Sequence, residues 1–241
     1  MTKFMINDKR FSGLLGGGEY DILKEALWFY DDLQKSIADT VSSETAEDKK
    51  YNILEIGVGS GITTAFVLDG LKEQKNVNIF AVDNEEKMLN EAKKRFSYVE
   101  NVELINKDIM DYLKNIPDGF FDGSYTGYVI HNFNPKLRKD FFHELGRVTK
   151  KGGFFVSGDK IVVNDIEKQK EHLIKEISLY DRLDEIGKSE IKEEWVRHYA
   201  EDELIRFTEK EQFELLQQSG FGEVKIIFRE LMAAVVFAKK L

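Results

Sequence analysis

The stretch Tyr51-Asn52-Ile53-Leu54-Glu55-Ile56-Gly57-Val58-Gly59-Ser60-Gly61 constrains this chain more than any other. Its near-continuous apolar run reads as a strand buried on both faces, and three alternating glycines end that strand in a turn that side chains would obstruct. A helix is expected to follow. The first N–H groups of a helix lack partners within it, so a turn of this kind presents donors to an anion. A strand, a glycine turn and a helix in that order are the start of an α/β fold with parallel strands.

The same rhythm continues along the chain. Apolar runs predict strands over residues 51–57, 77–83, 102–106, 121–129 and 153–158, with helices over 61–73, 85–96, 110–115 and 136–149 between them. Thr208 followed by Glu211 looks like a capping box, and Ser219-Gly220 suits a helix stop. Two last strands over 221–228 and 231–239, joined at Arg229-Glu230, then complete a mostly parallel seven-stranded sheet with a C-terminal antiparallel hairpin. Residues 1–50 fall outside this alternation and are expected to form helices that act as a lid segment. A charged region over about 164–206 reads as a helical insertion in the domain spanning 51–241.

At 241 residues the chain suits one α/β domain with an insertion better than two independent domains. Hydrophobic residues make up 42% and charged residues 33%, and no run of about 18 apolar residues offers a membrane span. No membrane partner is therefore expected. The first residues show no secretory pattern, which makes the cytoplasm the expected compartment. Without cysteine there is no disulfide, thiolate nucleophile or cysteine-based zinc site, and no metal site is expected. A net charge of -9 disfavours nucleic acid, favours a small-molecule acceptor, and leaves a homodimer open.

The glycine spacing separates two nucleotide chemistries. A dinucleotide enzyme commonly shows G-x-G-x-x-G, whereas here Gly61 comes one residue early and Ile62 takes the later position. Asp83 ends the second predicted strand, where a carboxylate accepts from both ribose hydroxyls of a nucleoside. Asp108 follows the third, placed to accept from an adenine amino group while Ile109 packs on the ring. Each acid alone is as readily a helix cap.

Together these residues resemble the class I S-adenosylmethionine-dependent methyltransferases, a Rossmann-like, doubly wound family. The motif E/D-x-G-x-G-x-G is matched by Glu55, Gly57, Gly59 and Gly61. The family's ribose-binding acid falls on Asp83, with Asn84 and Met88 beside the nucleoside, and its adenine-side acid on Asp108. Phe121-Asp122-Gly123-Ser124-Tyr125-Thr126-Gly127-Tyr128-Val129-Ile130-His131 is similar to the fourth-strand motif, and residues 145–153 to the turn into the fifth strand. The resemblance implies S-adenosyl-L-methionine as cofactor, held by those residues with Ile109 and Thr126, and methyl transfer as the reaction.

At the acceptor end, His131 is a candidate base or orienting donor, or else a histidine hydrogen-bonded into the following turn. Tyr20, Trp28, Tyr30, Trp195 and Tyr199 offer an aromatic wall over a cation, or ordinary packing. Arg197 offers a fork to a carboxylate. The chain also resembles, more faintly, the carboxy-S-adenosylmethionine synthases of tRNA modification, whose carboxylate-binding arginine Arg197 would match. An NAD-dependent oxidoreductase and a non-catalytic partner-binding protein on the same fold are the remaining alternatives.

Overall fold

The computed structural model describes residues 22–45, 49–71 and 76–241. Its strands are β1 (Tyr51–Ile56), β2 (Val77–Asp83), β3 (Val102–Asn106), β4 (Phe121–Gly127), β5 (Thr149–Lys160), β6 (Phe221–Glu230) and β7 (Ala233–Lys240). They form one sheet in the order β3-β2-β1-β4-β5-β7-β6. The first five run parallel, and β7 is antiparallel to both β5 and β6. Because β1 lies between β2 and β4, the connections diverge on either side of it. In open α/β sheets such a switch point forms a crevice at the carboxyl ends of the strands, where ligands bind.

The helices are α1 (Leu23–Ala26), α2 (Tyr30–Glu44), α3 (Ile62–Gly70), α4 (Glu86–Arg95), α5 (Ile109–Leu113), α6 (Pro135–Val148), α7 (Ile166–Leu179), α8 (Asp181–Glu185), α9 (Ser189–Asp202) and α10 (Glu209–Gln218). Two apolar layers sandwich the sheet. Leu33, Ile37, Val67, Leu89 and Phe96 of the α2, α3 and α4 side form one with Ile53, Ile79 and Val156. Leu113, Leu137, Phe141, Phe142 and Leu216 form the other with Leu54, Phe155 and Val236. Adjacent β1 residues thus feed opposite layers, as a doubly covered strand requires. Among the described residues no helix is long and apolar enough to cross a membrane.

Several boundaries depart from expectation, each for a local reason. The fourth strand stops at Gly127 rather than 129, because Tyr128 takes a left-handed φ of 58° and the chain enters the short 3-10 turn Ile130–Asn132. The fifth strand is longer than expected, extending through the irregular pairing between Phe121 and Gly123. The last hairpin turns at Leu231-Met232, with Leu231 at φ 50°, instead of at Arg229-Glu230. Thr208 does cap α10, accepting from the Glu211 N–H at 3.1 Å. The Glu211 carboxylate, however, receives the buried Arg138 guanidinium at 3.0 Å.

Part of the N-terminal segment is a structural layer. Leu33 and Ile37 of α2 fill the space beside Gly158, where a Cβ would lie 2.8 and 2.6 Å from their methyl carbons. Residue 50 therefore does not divide one packing unit from another. The insertion, in contrast, sits over the carboxyl end of β5 and the last hairpin: the Met232 N–H donates to Glu176 of α7 at 2.9 Å. Helix α1 packs against α8 of that insertion.

Candidate functional site

The glycine turn is built from backbone that a side chain would oppose. Gly57, Gly59 and Gly61 take φ values of 69°, 54° and 86°, all left-handed. A Cβ on Gly57 would come within 2.4 Å of Val129, just beyond β4, and one on Gly61 within 2.4 Å of Phe96. The turn is thus clamped between the end of β4 and the end of α4. The N-cap of α3 is Gly61, which has no side chain to accept from the helix's first N–H groups.

Two acids hold this turn from below and from the side. Glu55 is buried at the end of β1 and accepts from Thr64 of α3 and, at 3.0 Å, from Tyr125 of β4. Burial pushes its carboxyl up to about 7, against the hydrogen bonds of Thr64 and Tyr125. Its Oε1 is buried with no hydrogen-bond partner. Asp83 accepts from the Gly59 N–H at 2.7 Å through one oxygen and from the Glu85 N–H at 2.9 Å through the other. Desolvation raises its pKa despite those backbone donors.

The remaining expected cofactor residues gather around Asp83 to differing degrees. Met88 is buried, its methyl 3.3 Å from where a Gly59 Cβ would lie, and Asn84 is exposed directly after β2. The Lys107 N–H donates to the Asp83 carbonyl at 3.0 Å, which draws Asp108 and Ile109 to the same crevice. Asp108 itself caps α5, with one oxygen accepting from Met110 at 2.8 Å and Asp111 at 3.1 Å. Thr126 gives its hydroxyl to the Ile56 carbonyl at 2.9 Å, bracing β4 on β1.

At the ends of β4 and β5 the structure brings together polar groups that the sequence reading had left apart. His131 sits in the 3-10 turn after β4 with Nδ1 against Asp159, a wholly buried residue near the end of β5. Lys160 is almost buried, 2.5 Å from Asp202 of α9 and 4.2 Å from the centre of the Tyr199 ring. Glu176 accepts from the Tyr199 hydroxyl. The buried Tyr128 hydroxyl has no partner, and its ring stacks on Tyr30 at 6.0 Å. Asp159, Tyr128, Lys160 and Glu176 were missed. Asp159 obeys the same rule that picked out Asp83, an acid at a strand's carboxyl end, but the predicted strand stopped one residue short of it.

The acceptor candidates divide. Trp195 and Tyr199 are buried, stacked on or edged against Tyr180. Trp28 is 61% exposed. Arg197 stands 59% exposed on the outer face of α9, paired with Glu194 and, at 3.8 Å, with Glu201. Tyr20 lies outside the described residues. Among the described residues no cluster of His, Asp or Glu has the geometry to hold a metal ion.

Residues 53–153 match the family profile of a methyltransferase domain. A carboxy-S-adenosyl-L-methionine synthase of Nautilia profundicola is 26% identical over 87% of this chain and 85% of its own length. A second of that name, from Sulfurimonas denitrificans, is 27% identical over 91% of this chain and 89% of its own. Among solved structures, a SAM-dependent methyltransferase from Archaeoglobus fulgidus superposes with a TM-score of 0.55 at 15% identity, over 79% of this chain and 86% of that one.

Proposed function

We propose that this chain, whose residues 53–153 match a methyltransferase domain, is an S-adenosylmethionine-dependent enzyme of the class I type, that the crevice beside Asp83 holds the cofactor, and that the reaction is methyl transfer to a small-molecule acceptor. The observation that carries this reading is the closed linkage of three elements through Asp83. Its carboxylate takes the glycine-turn N–H, and its carbonyl takes the N–H that leads into Asp108.

The residues present fit such a ligand. Three left-handed glycines leave the turn without side chains, the N-cap of α3 is itself a glycine, and the Asp83 carboxylate, with about four lone-pair sites, keeps acceptor capacity beyond its backbone donors. The buried Glu55 Oε1, without a partner among the described residues, adds a hydrogen-bonding group beneath the turn. On this reading Asp83, Asn84 and Met88 hold the nucleoside, Ile109 and Asp108 border the base, and Glu55 and Thr126 fix the turn and the strands around it. Bound there, S-adenosylmethionine supplies a methyl group on a sulfonium whose departure leaves a neutral thioether. The protein's part is then to bind, to orient the acceptor in line and to exclude water.

A second reading has a specific observation behind it: the curated relatives above are named carboxy-S-adenosyl-L-methionine synthases. Arg197, the arginine matched to their carboxylate fork, is exposed and held by two glutamates, which weighs against it. Calorimetry with S-adenosylmethionine, S-adenosylhomocysteine and NAD tests the cofactor. Binding of NAD with no heat from either sulfur nucleoside overturns the assignment. Mass spectrometry of the nucleoside products then separates the two reactions, methyl transfer releasing S-adenosylhomocysteine and the alternative a carboxylated sulfonium.

A further inference from the structure

The polar groups at the ends of β4 and β5 are not needed to hold a nucleoside, yet they are arranged with care. Asp159 has no exposed surface, and each contact it makes is with a donor. One oxygen accepts from the Ile130 N–H at 2.8 Å and the His131 N–H at 3.2 Å. The other accepts from the Lys160 N–H at 2.9 Å and faces His131 Nδ1. A carboxylate so fixed cannot rotate away, and it compels Nδ1 to carry the ring proton. The lone pair is then on Nε2. Among the described residues that atom has no hydrogen-bond partner, and the side chain as a whole is 6% exposed. A histidine placed merely to tie β4 to β5 has no reason to keep its second nitrogen without a partner.

The location matches the chemistry. Val129, two residues before His131, is the side chain that closes on Gly57, so this turn abuts the glycine turn directly. We propose that His131 is the general base of the transfer, oriented by Asp159 as a positioning residue, and that the acceptor's attacking atom carries a proton, as a hydroxyl does and an ionised carboxylate does not. The inference rests on the methyl-transfer reading of the same crevice. In the step, the acceptor oxygen forms a bond to the methyl carbon while the carbon–sulfur bond breaks with its electron pair going to sulfur. The hydroxyl proton passes to Nε2, and the imidazolium so formed faces the Asp159 carboxylate.

The charged groups around the ring agree with this role. Burial lowers the His131 pKa, Asp159 and Asp202 pull it up, and Lys160 pushes it down, so the ring is neutral and able to accept a proton at neutral pH. The arrangement resembles the base and orienting acid of other transfer enzymes in geometry alone.

The test uses the unmodified protein. The chain has four histidines, and His131→Asn assigns the signal of interest in NMR of the protein labelled at histidine nitrogen. The expected spectrum shows His131 as the Nδ1–H tautomer, titrating below an ordinary histidine. Asp159→Asn should change that tautomer. Diethyl pyrocarbonate, which acylates a neutral accessible imidazole nitrogen, should modify His131, and saturating S-adenosylhomocysteine should slow this by an order of magnitude or more. A His131 in the Nε2–H tautomer, or one acylated equally fast with and without the bound nucleoside, overturns the proposal. Calorimetry keeps the two failures apart. Absence of S-adenosylhomocysteine binding sinks the cofactor reading, whereas binding that leaves His131 untouched sinks only the base.

Discussion

Asp83 serves two purposes at once. It fixes the glycine turn by accepting the Gly59 N–H, and on the proposed reading the same carboxylate receives the ribose hydroxyls. Hydrogen bonds to a charged acceptor are each worth roughly 1.5–3 kcal/mol, so Asp83→Ala should weaken S-adenosylhomocysteine by about 10- to 100-fold or more. Asp83→Asn retains one carbonyl acceptor and should lose less. Calorimetry on both variants decides, and an unchanged dissociation constant in the alanine variant would confine Asp83 to the turn. Glu55 makes a different prediction, about pH. Its folded pKa of about 7 lies above the ordinary 4.5, so between those values the folded chain binds the proton that the unfolded chain releases. The stability this gives is full below the ordinary value and is lost as the pH climbs to about 7, in all about 3 kcal/mol. Asp83 is shifted in the same direction, so the wild type should be compared with Glu55→Gln, which keeps partners for Thr64 and Tyr125 without titrating. Urea unfolding across this pH range should show a steeper fall for the wild type. Parallel curves would mean that Glu55 is ionised in the fold.

Among elements, the junction of the glycine turn with the end of β4 is the tightest. Gly57→Ala forces both a left-handed alanine and a methyl against Val129, whereas Gly152, at φ 73°, has nothing within 4 Å of an added Cβ. Gly152→Ala should therefore cost about 1–2 kcal/mol, the backbone penalty alone. Gly57→Ala should cost clearly more, and Val129→Ala should recover part of the excess in a double-mutant cycle. Equal losses at the two glycines would show that the turn yields to the added methyl. The same junction explains what was legible beforehand. The strands over 77–83 and 102–106 were placed to the residue because apolar runs between polar boundaries report burial directly. The glycine turn after β1 and the acids at the ends of β1, β2 and β3 also lie where the apolar runs placed them. The end of β4 was misplaced because Tyr128 adopts a left-handed backbone held by its N–H bond to Gly158 at 2.7 Å, a tertiary contact that no local pattern records. Asp159 was missed with it. Its partner His131 is 28 residues away, and only the pairing of β4 with β5 joins them.

At the scale of the molecule, the question is which parts move when a ligand enters. The N-terminal segment and the insertion were expected to close together, and the structure divides that expectation. Helix α2 is a layer of the sheet, since Leu33, Ile37 and Val41 are wholly buried in the core shared with β4 and β5. It should be protected from hydrogen exchange whether or not ligand is bound, and truncation through residue 40 should unfold the domain rather than open it. Helices α1, α8 and α9 are different. They are short or peripheral, α1 packs on α8 as well as on α2, and their cluster of Tyr180, Leu183, Trp195 and Tyr199 meets the main body through Glu176, Lys160 and Tyr128. These are the groups that border His131 and Asp159, so a cap hinged on them covers the space an acceptor would occupy. Saturating S-adenosylhomocysteine should therefore raise protection over residues 23–27 and 181–202 together, while α2 and the centre of the sheet stay as they were. Protection gained in one of the two segments without the other would mean that they do not act as one cap. Exchange that is identical with and without ligand would make these helices a fixed wall, with the acceptor entering by another side of the crevice.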